Sequence, residues 1–162
     1  MVLQILADTR ERLPYSFAGF DCQVSRRTIR TGDYSLVGHE GFVAVERKSL
    51  DDLAGGCTTS RERFERELAR GADMNCFAVV VESDPATVLK HRYRSKLNPQ
   101  SLLQSVITWQ MQYGTPFVWA GSRNAAEYMT HGLLSKWIRE REVSAVRPAM
   151  SIIEREVTNE MH

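Results

Sequence analysis

Apolar residues come in short bursts in the first third of this chain and settle into helical spacing only later. Val2 to Ala7 is apolar and stops at Asp8, the pattern of a buried strand with an acid at its C-terminal edge. Asp8-Thr9-Arg10-Glu11 then leaves the sheet, and Leu13-Pro14 bars a helix there. Cys22 to Ile29 sets β-branched residues among Arg26 and Arg27, which predicts a strand with one wet face. Thr31-Gly32-Asp33 is a turn, Tyr34 to Val37 a further strand, and Gly38-His39-Glu40-Gly41 a hairpin loop. Phe42 to Lys48 completes the hairpin. Alternation along it puts Phe42, Ala44, Glu46 and Lys48 on one face and Val43, Val45 and Arg47 on the other.

Helical signals follow. Ser49-Leu50-Asp51-Asp52 is a capping box, with a short helix to about Ala54 stopped by Gly55-Gly56. Thr58-Thr59-Ser60 offers a second N-cap before a helix over 61–74, where Phe64 and Leu68 are spaced i,i+4. Its arginines, Arg61, Arg63, Arg66 and Arg70, alternate with Glu62, Glu65 and Glu67, the usual pattern of a solvated face, though the arginines could also touch phosphates. Cys76 to Val81 is the most apolar strand and predicts a central position. Pro85 to Arg94 reads as a short helix or lid rich in cations. Asn98-Pro99 opens a helix to Tyr113, with Leu102, Leu103, Val106, Ile107 and Met111 as its buried stripe. Gly114 ends it, and Pro116 to Ala120 is a last strand. Asn124 to about Glu142 is a helix with Ala126, Met129, Leu133 and Trp137 on one side; residues 143–162, broken by Pro148, read as a tail. Strands first, then strands alternating with helices, predict a mixed α/β domain over residues 1–142 with a central sheet flanked by helices.

Composition narrows the function classes. With 43% hydrophobic and 25% charged residues in 162, the chain suits one soluble domain. No apolar run approaches the ~20 residues of a membrane span, and Asp8 comes too early for a signal peptide. Cys22, Cys57 and Cys76 are odd in number and lack CxxC spacing, which argues against a disulfide scaffold or a zinc site and for a reducing, cytoplasmic setting. The net charge of +1 conceals an acid-free stretch between Asp84 and Glu127 that carries Lys90, Arg92, Arg94, Lys96 and Arg123. An acidic site beside a basic surface suits a polyanionic substrate bridged by a cation; a solvated basic loop has the same composition.

Asp33, Glu46 and Lys48 lie at the ends of the two hairpin strands. If these pair, two carboxylates converge at one edge with an ammonium two residues beyond. Two carboxylates and a lysine are what a Mg²⁺-dependent phosphodiesterase needs: oxygen ligands for a hard cation and a cation for the developing phosphate charge. Asp8 could add a third carboxylate. A structural Glu46–Lys48 ion pair beside a turn fits the same residues, and Asp52 fits a capping role.

The run Gly32-Asp33-Tyr34, then Val45-Glu46-Arg47-Lys48-Ser49-Leu50-Asp51-Asp52-Leu53, closely resembles the GDY…VERKSxxDL signature of the XPF family of structure-specific DNA endonucleases. Asp8-Thr9-Arg10-Glu11 resembles that family's DxRE motif, and Arg63-Phe64 its third block. The resemblance spans about residues 3–140. It implies a restriction-endonuclease-like core with a Mg²⁺ or Mn²⁺ site ligated by Asp33 and Glu46. It further implies Lys48 as catalytic lysine, Asp8 and Asp52 as flanking catalytic acids, and Arg10, Glu11 and Arg47 in support. Arg63 and the Lys90, Arg92, Arg94, Lys96 cluster are then candidate DNA contacts. Members of the family cut duplex DNA near single-stranded junctions such as flaps and forks, usually as dimers. That implication makes the helices 99–113 and 124–137 candidate homodimer faces and places the chain in DNA repair or recombination.

Some family members carry a helix-hairpin-helix module after the nuclease; about twenty residues here are too few for one. A stand-alone nuclease of bacterial or phage origin is the expectation that follows, with a less selective nuclease as one alternative. A non-catalytic partner subunit is another, and the retained Asp33, Glu46, Lys48 and Asp52 argue against it.

Overall fold

A computed structural model describes residues 2–160, with side chains described as far as residue 145. The apolar bursts become six strands: β1 (Leu3–Ala7), β2 (Cys22–Arg26), β3 (Tyr34–Leu36), β4 (Val43–Lys48), β5 (Cys76–Val81) and β6 (Phe117–Trp119). They form one mixed sheet in the order β2-β1-β3-β4-β5-β6. The pairs β1–β3 and β3–β4 are antiparallel, while β1–β2, β4–β5 and β5–β6 are parallel. The expected hairpin therefore exists, with Tyr34 opposite Val45. β5 is hydrogen-bonded on both sides, which is why its sequence Cys-Phe-Ala-Val-Val-Val has no polar alternation.

Two cores cover the two faces. Ala44, Phe77, Val79 and Val81 pack under helices α1 (Leu50–Gly56), α2 (Arg61–Ala72), α3 (Pro85–Leu89) and α4 (Pro99–Tyr113). Val43, Val45 and Val80 pack with Tyr15, Phe17 and Tyr34 under α5 (Arg123–Glu160). The face alternation expected for β4 holds from Val43 to Lys48. Phe42 departs from it: it precedes the strand, is half exposed, and lies under the Arg141 guanidinium on the α5 side.

Most helix signals are realised, although α1 runs through Gly55 and Gly56, the pair expected to stop it, and is capped at Cys57. The Ser49 hydroxyl oxygen accepts from the Asp52 amide (3.2 Å) to cap α1, and Asn98 caps α4 by accepting from Gln100 and Ser101 amides. Gly114, at φ +64, closes α4 in the left-handed region that glycine tolerates. Ser60 stands at the N-cap of α2 without a side-chain bond.

Some expectations need correction. The β2 strand stops at Arg26 and is exposed along most of its length, because it is the sheet's edge. Ile29 is buried beyond it, in a loop turned back toward Asp8. The inner stripe of α4 is Leu102, Val106 and Trp109, at i, i+4 and i+7; Ile107 and Met111 are 49% and 82% exposed, rotated away from the sheet. On α5 the buried line is Ala126, Thr130 and Leu134, and Met129 is 37% exposed beside it. The helix does not end near Glu142: it continues through Pro148 to Glu160, so residues 143–160 extend α5. Proline's fixed φ is compatible with a helix, and its entry removes one backbone bond rather than the helix.

The α2–β5 contact leaves no room for a side chain at Gly71, where a Cβ would lie 2.1 Å from Phe77 Cδ1. Gly71→Ala should therefore lose about 1–3 kcal/mol of stability despite alanine's better helix propensity, read as a lower thermal midpoint by circular dichroism.

Candidate active site

Three strand ends and two helices meet in a cleft of about 780 Å³. Asp8 follows β1, Asp33 precedes β3, and Glu46 and Lys48 end β4. Antiparallel pairing of β3 with both neighbours brings these ends to one edge of the sheet. Gly32 makes the approach possible: it sits at φ +80, and a Cβ there would lie 2.9 Å from Ala44 Cβ. Asp52 and Asp51 on α1, and Arg63, Phe64, Glu67 and Arg70 on α2, form the facing wall.

Glu46 and Lys48 are neighbours on one face, with Nζ 2.5 Å from Glu46 Oε1. Glu46 is 5% exposed. Burial holds its carboxyl well above the usual range; the Lys48 charge opposes this, while Asp33 and Glu67 add to it. The Lys48 ammonium is held protonated: burial works against it, but the Glu46 charge and hydrogen bond outweigh that. Asp33 Oδ2 accepts the Arg47 backbone N–H at 2.8 Å. Burial pushes the Asp33 carboxyl up to about 6, with the Arg47 amide acting the other way.

Asp8 differs in kind. Its carboxylate accepts from Arg10 Nε (2.8 Å), Arg10 Nη2 (3.0 Å), and the Arg10 and Ile29 amides. Burial alone would raise its pKa, but these bonds bring it below the ordinary value. With its lone pairs so occupied, Asp8 is placed to organise the β1 and β2 ends. Asp52 lines the cleft, and its carboxylate accepts from the Ser49 hydroxyl at 2.7 Å.

Arg47 leaves by the opposite face. It makes a two-pronged pair with Glu82, Nε to Oε1 at 2.6 Å and Nη2 to Oε2 at 3.0 Å, and approaches Glu11 at 3.4 Å. Tyr15 donates its hydroxyl to Glu82 (2.7 Å), and Arg123, at the start of α5, reaches Glu82 (3.3 Å) and the Leu13 carbonyl (2.7 Å). Burial would raise the Glu82 carboxyl, yet the Arg47 and Tyr15 hydrogen bonds hold it below its ordinary value.

The cleft thus gathers Asp8, Arg10, Glu11, Asp33, Glu46, Arg47, Lys48, Asp52 and Arg63. Lys90, Arg92, Arg94 and Lys96 lie outside it. Their loop is tied to the rim, because the Arg94 amide donates to Asp51 Oδ1 at 2.8 Å. Sequence reasoning missed Arg12, Arg30 and Glu67 in the cleft and Tyr15 and Glu82 behind it; it named Arg70 only among helix arginines that could touch phosphates, and Arg123 only as part of a basic stretch. Glu67 accepts the Gly32 amide at 3.0 Å, and Arg70 reaches the Thr31 hydroxyl at 3.3 Å. Arg63, Glu67 and Arg70 share one face of α2 at i, i+4 and i+7, a stripe that reads from sequence as solvated. Glu82 carried the same signal as Asp8 and Glu46, an acid closing an apolar strand.

A hard divalent cation suits this donor set. Among the described residues Asp33 Oδ1 and Glu46 Oε2 make no hydrogen bond, and both belong to carboxyls that burial leaves short of solvation. Among the described residues no three His, Cys, Asp or Glu side chains gather closely enough to hold a metal alone. Mg²⁺ accepts such a site, since it keeps waters and takes substrate phosphate oxygens.

A mixed sheet with an acid–acid–lysine edge inside an arginine-rimmed cleft defines a restriction-endonuclease-like domain. The family model described as the ERCC4 domain matches residues 7–133, and the chain belongs to that family. Its fold is that of the XPF nuclease. The structure of XPF from Aeropyrum pernix in complex with DNA matches at TM-score 0.66 and 22% identity, over 85% of this chain and 66% of that one. A second structure of Aeropyrum pernix XPF matches at TM-score 0.64 and 24% identity, over 93% of this chain and 71% of that one. No curated protein sequence matches.

Asp33 provides a test of the desolvated acid. Its carboxyl ionises near 6 when folded and near the ordinary 3.8 when the chain unfolds. Between those values the unfolded chain holds fewer protons, so stability falls as pH rises. Asp33→Asn should therefore melt about 5 °C higher than the parent at pH 8 in chelator, with the difference vanishing below pH 4.

Proposed function

We propose that this chain is a divalent-metal-dependent DNA endonuclease that hydrolyses phosphodiester bonds at branched, flapped or forked DNA in repair or recombination. The observation that carries the reading is the pair of under-solvated carboxylates, Glu46 buried and Asp33 half-buried, beside Lys48 at the floor of an open, arginine-rimmed cleft. Holding two such acids without a cation is costly, and holding them for Mg²⁺ or Mn²⁺ gives them a partner.

Asp33 and Glu46 would hold the ion, which when bound supplies Lewis-acid stabilisation of the scissile phosphate. Lys48 has three N–H donors and spends one on Glu46, so two are left for a phosphate oxygen as negative charge develops on it. Arg63, Arg30, Arg70 and Arg12 line the cleft and would offer cations to flanking phosphates, and Arg10 keeps an exposed guanidinium edge beside Asp8. The Lys90–Lys96 loop, tied to the cleft rim by the Arg94 amide on Asp51, would add further cations for the strand. Arg47 acts through its amide on Asp33, and its guanidinium fixes the strand from behind.

Family membership supports the nuclease class and a preference for branched DNA. The partner reading is a second copy of the chain, as family resemblance suggests. It is supported by the exposed Ile107 and Met111 on α4 and by a groove of about 770 Å³ on α5 lined by Tyr128, Met129, Leu133 and Trp137.

Flap, fork, four-way junction, duplex and single-stranded DNAs incubated with Mg²⁺ or Mn²⁺ test the reading. Flap or fork cleavage should exceed duplex cleavage, and Glu46→Ala and Lys48→Ala should each reduce it at least 1,000-fold with DNA affinity within about threefold. Loss of binding in place of cleavage would mark Glu46–Lys48 as a structural ion pair.

A further inference from the structure

The pairing of Lys48 with Glu46 satisfies one side of a buried ammonium. Among the described residues the ammonium makes no second hydrogen bond. Lys48 Nζ stands 4.6 Å from the centroid of the Phe64 ring, over its face, inside the ~6 Å reach of a cation–π contact. The lysine side chain is 16% exposed and Phe64 is buried, so the contact is made largely out of water, where such an attraction is strongest. We propose that Phe64 is a positioning residue for cleavage: its ring face holds the Lys48 ammonium in place without taking a hydrogen bond from it. This rests on the nuclease reading for its consequence, though not for its geometry.

The surroundings of the ring favour this over simple filling of space. Phe64 is set perpendicular to Trp109 (centroids 5.1 Å apart, 86°) and to Phe117 (6.4 Å, 87°), so its plane is fixed by two other aromatic rings. Trp109 is itself anchored, with its indole N–H donating to Glu65 at 2.9 Å and the Arg61 guanidinium 5.1 Å from its centroid. On the α1 side, Gly56 lets the ring approach: a Cβ there would lie 3.1 Å from Phe64 Cδ1. Plane and position are thus set from α1, α4 and β6 together.

The chemistry explains why a ring serves better than another acceptor. A second carboxylate at this place would take another ammonium proton and lower the positive charge available to a phosphate. A purely aliphatic side chain would leave the ammonium held from one side only, free to swing about Glu46. The ring's negative face attracts the cation as a whole and leaves two N–H groups for the substrate. Positioning of this kind acts on kcat and not on DNA affinity, since Phe64, although part of the cleft wall, is only 3% exposed and offers the strand no polar group.

The test varies the ring's electrostatics at nearly constant shape. Phe64 is replaced by mono-, di- and trifluorophenylalanine in the full chain, and single-turnover cleavage of the best DNA of the panel is followed in Mg²⁺. The rate should fall stepwise, about tenfold across the series, with KM and thermal midpoint nearly unchanged. Phe64→Tyr, which keeps the face, should stay within about twofold of the parent. In metal-free protein the Lys48 Hε protons, on the carbon bonded to the ammonium held over the ring, should resonate upfield of their positions in Phe64→Leu. A flat fluorination series in a protein that cleaves overturns the proposal. So does a Lys48 side chain without ring-current shift, a result that decides the contact even if the parent cuts no DNA and the nuclease reading itself fails.

Discussion

Two carboxylates deprived of water at the end of an interior strand set the terms for the rest of this molecule. Glu46 stands on β4, a strand bonded on both sides, and Asp33 stands on the turn that feeds its antiparallel neighbour. Neither acid has enough hydrogen-bond donors to offset what burial removes, and Lys48 answers only one of them directly. The other structural features of the cleft make sense as responses. Gly32 permits the turn to close on Ala44, Glu67 holds that turn by its amide, and Phe64 backs the lysine. An apolar pair in the same places would pack at lower cost, and the charge there supports the proposed cation site over a purely stabilising role.

The strand is held from behind by an opposite arrangement. Arg47 and Glu82 are about as buried as the acids in front, but they are fully partnered: two short hydrogen bonds between them, Tyr15 and Arg123 on Glu82, and Glu11 on Arg47. Removing one member of such a pair typically costs about 3–5 kcal/mol. Because the Arg47 amide donates to Asp33, this rear clamp also sets the position of a front-face carboxylate. Under-solvated chemistry on one face thus depends on saturated chemistry on the other, and the single residue Arg47 joins them. Arg123 adds the first turn of α5 to the clamp, so the helix that covers the rear core also braces the site.

Much of this was legible in the chain. Period-two alternation placed Glu46 and Lys48 together and Arg47 opposite, and Ser49, Asn98 and Gly114 marked helix ends through short-range cap chemistry. The motif around Glu46 then supplied a reaction class that alternation alone left open against a structural ion pair. What escaped reading depends on tertiary contact. Ile107 and Met111 fit an apolar helical stripe, yet Trp109 took the buried face because the sheet lies on its side of α4. Glu67 and Arg70 looked like solvent-facing charges because nothing local reveals that α2 forms a wall of the cleft. Glu82 is adjacent to Arg47 only through the parallel β4–β5 register, thirty-five residues away in sequence. Pro148 looked like an end, and the helix passes through it.

Calorimetric titration of Mn²⁺ into the metal-free chain near pH 7 addresses the central claim, that Asp33 and Glu46 are kept under-solvated for a cation. Saturable binding should be seen, with proton release that grows as the titration is moved from pH 7 down to pH 6, where Asp33 holds more of its proton, and it should be lost in both Asp33→Asn and Glu46→Gln. Binding that persists unchanged in either variant, or no binding at all in the parent, would contradict it.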